Sequence, residues 1–247
     1  MINERIFLRA PIEFQNICKI YPPTVNDVVL NENYNTYQYS LTLTQEDLDD
    51  EYDKTPQPFG FVTPTPFQYI MANCEANEDF MNIITDALEF FLHEPLTIIP
   101  ELKIIFIGKY DEDINPDEDF ENPRLIKEDN YFDFQNRLRE AIGVKAVEPP
   151  NPNEDPRVRR IKAKARYRDR IKAKKGDGLD LGTSLAALCC MGIGLNPLNI
   201  GEISYASVSW LIQLYQQKES YETDVKAIMA GADANKINPK YWIRKLN

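Results

Sequence analysis

The chain has 247 residues, of which 43% are hydrophobic and 27% charged, and its formal net charge is −11. That length and balance fit one large or two ordinary globular domains with a real core, and they exclude a disordered or fibrous chain. No stretch approaches the roughly eighteen consecutive apolar residues of a membrane span, and the opening MINERIFLRAP carries charges where a secretory leader needs an apolar run, so the sequence points to a protein kept in a cytosol. The cysteines Cys18, Cys74, Cys189 and Cys190 agree with a reducing compartment. The last two are adjacent, where a mutual disulfide is strained, and all four lie in apolar surroundings, so they read as buried free thiols.

In chain order, the first legible element follows the extended approach Tyr21-Pro22-Pro23. Thr24 is placed to cap a helix with Asp27 as its capping-box partner, and Val25, Val28 and Val29 supply an apolar face. Thr44 and Asp47 repeat the device ahead of the acidic turn QEDLDDEYD. Residues 55–70 hold too many prolines for regular structure until Thr65-Pro66 opens another helix. Over 78–92, Phe80, Ile83, Ile84, Ala87, Leu88 and Phe91 recur at helical spacing and predict a core helix. Residues 97–99 and 103–107 are short and β-branched, with Gly108 behind them, and predict a small hairpin or two-stranded sheet. Helix returns over 129–142, with Tyr131, Phe134, Leu138 and Ile142 on one side.

The segment VEPPNPNEDP at 147–156 has four prolines and reads as a linker. Behind it, RVRRIKAKARYRDRIKAKK at 157–175 holds eleven Lys and Arg against one acid, Asp169, which leaves 17 basic and 38 acidic residues elsewhere. The molecule is an acidic body with a basic arm. Read as a helix, the arm is basic on all sides, with only Val158, Ile161, Tyr167 and Ile171 as large apolar residues, so it gains little from docking on its own core and its like charges repel. Three contacts suit it: the protein's own acidic body, an acidic protein partner, or nucleic acid through phosphate neutralisation. Nucleic acid is the least favoured, because acidic domains on each side repel a polyanion and Tyr167 is the only base-stacking aromatic.

Three glycines in KKGDGLDLG, residues 174–182, end any helix there. The apolar run 185–191 predicts a buried helix ended by Gly192 and Gly194, and Asn196-Pro197 begins a turn. A long amphipathic helix follows over 204–230, stopped by Gly231. It places Ile203, Ser207, Trp210, Leu211, Leu214 and Tyr215 on one face, and the pattern resumes at Tyr221, Val225, Ile228 and Met229. Such a helix is about 40 Å long, more than so small a domain covers. Both tryptophans, Trp210 and Trp242, fall in this helix and the tail behind it. The expected fold is therefore α-rich, mostly α with a small β-hairpin or minor sheet in the N-terminal domain. It divides into an N-terminal domain over 1–146, a Pro-rich linker and basic arm, helical or disordered, over 147–175, and a C-terminal helical domain over 176–247.

No residue set speaks for catalysis. The single histidine, His93, ends an apolar helix beside Glu94-Pro95 and reads as structural. No His, Cys or carboxylate cluster has zinc spacing, and neither a phosphate loop, a dinucleotide-binding glycine fingerprint nor a nucleophile elbow occurs. MGIGLN at 191–196 contains a GxG but follows a helix, not a strand. Acid pairs such as those in Asp49-Asp50-Glu51 and the run DEDINPDEDFEN at 111–122 suit weak calcium binding, but the run lacks the glycine an EF-hand needs and reads as a solvated loop. The sequence thus predicts no enzyme, no cofactor and no metal. It predicts a protein-binding surface built from Trp210, Leu214, Tyr221, Tyr241 and Trp242 on the helix and tail, with Arg159, Arg160, Lys164 and Arg168 on the arm; Trp242 suits as well a place packed back on the long helix of its own chain, closing the C-terminal domain.

The passage beginning LGTSLAALCCMGIGLN and ending in Ala230-Gly231-Ala232-Asp233, Lys236 and Tyr241-Trp242-Ile243 resembles the tail assembly chaperones of long-tailed bacteriophages. Those proteins end in a helix, an AG-type stop, a lysine-bearing turn and a terminal tryptophan segment. FQNICKIYPPTVNDVV and YQYSLTLTQEDLDDEYD are similar to phage proteins of this kind from viruses of Gram-positive hosts. The resemblance implies a helical, self-associating, non-catalytic protein of the host cell cytoplasm. It would coat the tape measure protein, meet tail tube subunits, and leave. Two other readings stay open: a structural virion component such as a tail connector or tube accessory protein, and a nucleic-acid-binding regulator using the arm.

Overall fold

Nine α-helices and five strands occur among the described residues of the computed structural model, which are 3–52, 54, 57–58, 61–108, 124–149, 155, 157–158, 161–162, 164–165, 168, 180–233, 237 and 239–243. The helices are α1 (Glu4–Phe7), α2 (Val25–Leu30), α3 (Tyr34–Thr42), α4 (Gln45–Tyr52), α5 (Pro66–Ala76), α6 (Glu78–Leu92), α7 (Glu128–Ala141), α8 (Leu181–Cys190) and α9 (Tyr205–Met229). The strands are β1 (Ile12–Phe14), β2 (Cys18–Ile20), β3 (Leu96–Ile99), β4 (Ile104–Ile107) and β5 (Leu125–Ile126). The fold is mostly α with a minor sheet.

Two units make up the chain. One comprises Pro11–Tyr21 and Leu30–Gly178, the other Met1–Ala10, Pro22–Val29 and Leu179–Asn247. Division at the Pro-rich segment alone would leave all of the first 146 residues together. Instead two short N-terminal segments join the C-terminal helices.

In the larger unit α6 is the hub, because Ile84, Ala87, Leu88, Phe91 and Leu92 recur at helical spacing and all are fully buried. Phe67, Ile70, Met71 and Cys74 of α5 and Tyr131, Phe134 and Leu138 of α7 fill the same core. The anticipated start of α5 is a full capping box: Thr65 Oγ1 accepts from the Gln68 N–H, and the Gln68 side chain accepts from the Thr65 N–H. Glu128 at the head of α7 accepts from both Thr65 Oγ1 (3.1 Å) and Gln68 Nε2 (2.6 Å), tying two helix starts together. Helix α1, helix α3 and the strand pair β1–β2 exceed the expectation. Helix α3 forms from residues of modest helix propensity because Tyr34, Tyr37 and Leu41 share one buried face, and strands β1 and β2 pair antiparallel, Ile12 opposite Ile20 and Phe14 opposite Cys18. The anticipated hairpin is β3–β4, and β5 adds a third antiparallel strand to it.

Helix α7 also closes α3 chemically. The last carbonyls of a helix have no partner within it. Here the buried Gln135 donates Nε2 to Leu41 O (3.0 Å) and Leu43 O (2.8 Å), and Arg139 Nη1 donates to Thr42 O (2.6 Å). His93 ends α6 in the left-handed conformation at φ 55°, and its ring stacks on Tyr21 at 4.3 Å.

Two details correct the sequence reading. Val29 is 56% exposed, so of the three valines of α2 only Val25 belongs to a core. Cys190 is exposed and Cys189 half-buried, while Cys18 and Cys74 are buried as expected. Burial pushes the Cys18 thiol up to about 12 and the Cys74 thiol to about 11. Maleimide at neutral pH should therefore label Cys190 first and leave Cys18 and Cys74 unmodified in the folded protein, as peptide mass spectrometry will show. Replacing Gln135 by Leu strands the carbonyls of Leu41 and Leu43, so the variant should lose about 1–3 kcal/mol in thermal or urea unfolding.

Candidate protein-docking surface

The smaller unit begins with backbone pairing between distant parts of the chain. Tyr205 N donates to Pro23 O (2.8 Å), Val25 N donates to Ile203 O (3.0 Å), and Thr24 bridges Ser204 antiparallel. Two helix starts are thereby held side by side. The Thr24 N–H and hydroxyl both donate to Asp27 Oδ2 at 2.8 Å, the anticipated capping box of α2. Ser204 heads α9, its hydroxyl buried within 2.6 Å of that of Ser207. Asp180 caps α8 by accepting from the Thr183 N–H (2.8 Å) and hydroxyl (2.7 Å), and the backbone bond holds its carboxyl below the usual range. Gly201, in the 3-10 turn Ile200–Glu202, is packed against Asn26: a Cβ there would lie 2.1 Å from Asn26 Oδ1.

The core of this unit is Val25, Leu188, Ile200 and Val208, with Leu185, Ile203, Leu211 and Ile212 packed against it. Helix α9 enters it only at one end. Ala206, Ser207 and Val208 are buried, and from Ser209 to the helix end at Met229 no residue is. The apolar face read from the sequence omitted Ala206 and Val208, which supply this contact. Beyond it Trp210, Leu214 and Tyr221 are half-exposed, and Met229 is 82% exposed. Leu211, Leu214, Lys218, Tyr221, Val225 and Ile228 alternate steps of three and four along α9, the spacing of a coiled-coil seam. Lys218 Nζ lies 3.7 Å from Glu222 Oε1, and the Glu219 carboxylate raises the Tyr215 phenol by accepting its hydrogen bond.

At the rooted end an open groove of about 270 Å³ is lined by Phe7, Leu8, Arg9, Glu202, Ile203, Ser207 and Leu211. Phe7 is 43% and Leu8 74% exposed. Arg9 Nη1 meets Glu202 Oε2 at 3.3 Å on the rim, an exposed pair that contributes little stability. None of these N-terminal residues was singled out from sequence, since a four-residue helix shows no periodicity to read.

The tail returns to α9. The Tyr241 ring meets Tyr221 edge-on at 5.5 Å, and Trp242 lies 6.3 Å from Tyr241. Tyr241 nevertheless stays 58% exposed. Among the described residues it is Tyr241 that makes a ring contact with the helix, while Trp242 is half-buried. On the arm, Lys164 and Arg168 are exposed on helical backbone, whereas Arg159 and Arg160 lie outside the described residues, as does the acidic run 111–122. Among the described residues no three His, Cys, Asp or Glu side chains form a metal-holding group, and no helix is long and apolar enough to cross a membrane.

Residues 172–247 match the family described as the YomV second domain, a phage-associated family. The matched segment is less than a third of the chain, and it contains all of α8, α9 and the described tail. No curated protein and no solved structure matches the chain.

Gly201→Ala should lower the unfolding temperature only slightly, because the clash is with the end of one exposed side chain that can turn away at the cost of its contact with Glu202, and Asn26→Ala in the same chain should remove the remaining loss. Circular dichroism melting of the single and double variants measures both.

Proposed function

We propose that this chain is a non-catalytic carrier of phage tail assembly, a tail assembly chaperone that holds the tape measure protein until tail tube subunits displace it, working in the host cell cytoplasm. The observation that carries the reading is α9. It is a 25-residue helix whose fully buried side chains are confined to its first turn, whose remaining apolar residues are partly exposed, and whose Met229 is 82% exposed. Apolar helix surface of this kind suits recognition of another amphipathic helix by side chains three and four residues apart. The match to a phage-associated domain falls on this same segment, and the resemblance of the tail to tail assembly chaperones names the client.

Charge fits a carrier too. Outside the arm the chain has 17 basic and 38 acidic residues, a surplus that keeps a complex with a sticky client soluble. Exposed Lys164 and Arg168 offer a contact to acidic surface that is weak at physiological salt and therefore reversible.

Co-expression with the tape measure protein of the same phage tests the reading. The two should co-purify, tube protein should release the chain, and mass spectrometry of finished virions should not find it. Stoichiometric amounts in virions would make it a structural component instead, and DNA affinity that falls steeply with salt and depends on the arm would make it a nucleic-acid regulator. Trp242→Ala should weaken client binding by about tenfold or more while the melting temperature stays close to that of the parent chain.

A further inference from the structure

We propose that the surface made by α8, the 3-10 turn and the start of α9 is a peptide-docking site, filled here in cis by residues 22–29, and that α9 is held in place only while this site is filled. The inference concerns the chain alone and stands whether or not the tape measure is its client.

Occupant and site meet as an added strand meets a sheet edge, by backbone pairing together with an anchoring side chain. Pro23 O accepts from Tyr205 N (2.8 Å), Val25 N donates to Ile203 O (3.0 Å), and Thr24 bridges Ser204 between them. Val25, 2% exposed, then enters the core beside Leu188, Ile200 and Val208. Asn26 lies over Gly201 and donates Nδ2 to Glu202 Oε1 at 3.3 Å, an exposed contact at the rim. Val29 is 56% exposed and lies outside that core. The occupant arrives already shaped. Pro22 and Pro23 fix the backbone ahead of Thr24, and Thr24 with Asp27 caps the helix behind it through bonds of its own, so little conformational entropy is lost on seating. The chemistry recognised is an extended Pro-Pro-Thr followed by a β-branched apolar residue at the head of a helix.

An empty site would undo the root of α9. The Tyr205 N–H belongs to the first turn of that helix, where no internal acceptor exists, and it would lose Pro23 O as its partner. The core would lose its valine and be left with a cavity. Of the buried core residues Val25, Leu188, Ile200 and Val208, Val25 alone lies outside residues 172–247, the segment that matches the phage-associated domain. That segment therefore carries the site but not what fills it, and a sequence outside it has to supply the occupant. Without the occupant α9 loses packing at its buried end, and helix stability in a protein comes mostly from such packing.

Hydrogen–deuterium exchange of the full chain tests this. Val25→Asp places a charge at the anchor. Amides of α8 and of residues 205–212 should then exchange about tenfold faster or more, while those of α6 and α7 keep their rates. Val29→Asp, at an exposed position, should alter neither set. Excess synthetic peptide of residues 21–30 should restore the protection of α8 and 205–212 in the Val25→Asp chain, and the same peptide carrying Val25→Asp should not. Parent-like protection in the Val25→Asp chain, an equal loss in α6 and α7, or protection that the unaltered peptide fails to restore at millimolar concentration or that both peptides restore alike would each overturn the proposal.

Discussion

Helix α9 is rooted at one end only, and the architecture of the smaller unit follows from how that root is made. Backbone hydrogen bonds between Pro23–Val25 and Ile203–Tyr205 hold the starts of α2 and α9 together. Val25, Leu188, Ile200 and Val208 close a small core around that junction. Beyond Leu211 and Ile212, which still pack on that core, α9 continues past it with no fully buried residue. A helix of 25 residues is about 37 Å long, and isolated helix of that kind is stable in water only when its apolar face finds something to pack on. The tail supplies a partial cover through Tyr241, which leaves that ring more exposed than buried.

This arrangement separates stability from binding. Fully buried side chains, such as Ser204, Ser207 and Val208, sit at the root, and only partly buried or exposed ones, such as Leu214, Tyr221, Val225 and Met229, sit beyond it. Substitutions on the two sets should differ in kind, because truncating a buried side chain leaves a cavity whereas altering a half-exposed one chiefly changes what the surface can recognise. A carrier benefits from that separation, since its contacts have to be undone without unfolding the protein.

Local chemistry was readable from the sequence wherever a few neighbouring residues decide the outcome. Thr65 and Pro66 announce α5; Thr24 with Asp27 announces α2; Ser204 and Gly231 bracket α9. The β3–β4 hairpin and the buried faces of α6 and α7 followed from spacing alone. What escaped depends on distant partners. Helix α3 exists because Tyr34, Tyr37 and Leu41 find a core and because Gln135 and Arg139 satisfy its last carbonyls. Strand β5 exists because β4 is there to pair with it, and the placement of residues 22–29 beside α9 is a non-local pairing that no window of sequence contains. Of the candidate docking surface, the positions of Trp210, Leu214 and Tyr221 on one helix follow from spacing, but the groove of Phe7 and Leu8 does not.

Hydrogen–deuterium exchange of the full chain with and without the tape measure protein tests the central claim most directly. Amides from 213 to 229, in the part of α9 without a fully buried residue, should gain protection on adding the client, while the amides of α6 and α7 in the larger unit stay unchanged. Client binding that leaves 213–229 exchanging as before, with protection elsewhere, would contradict it.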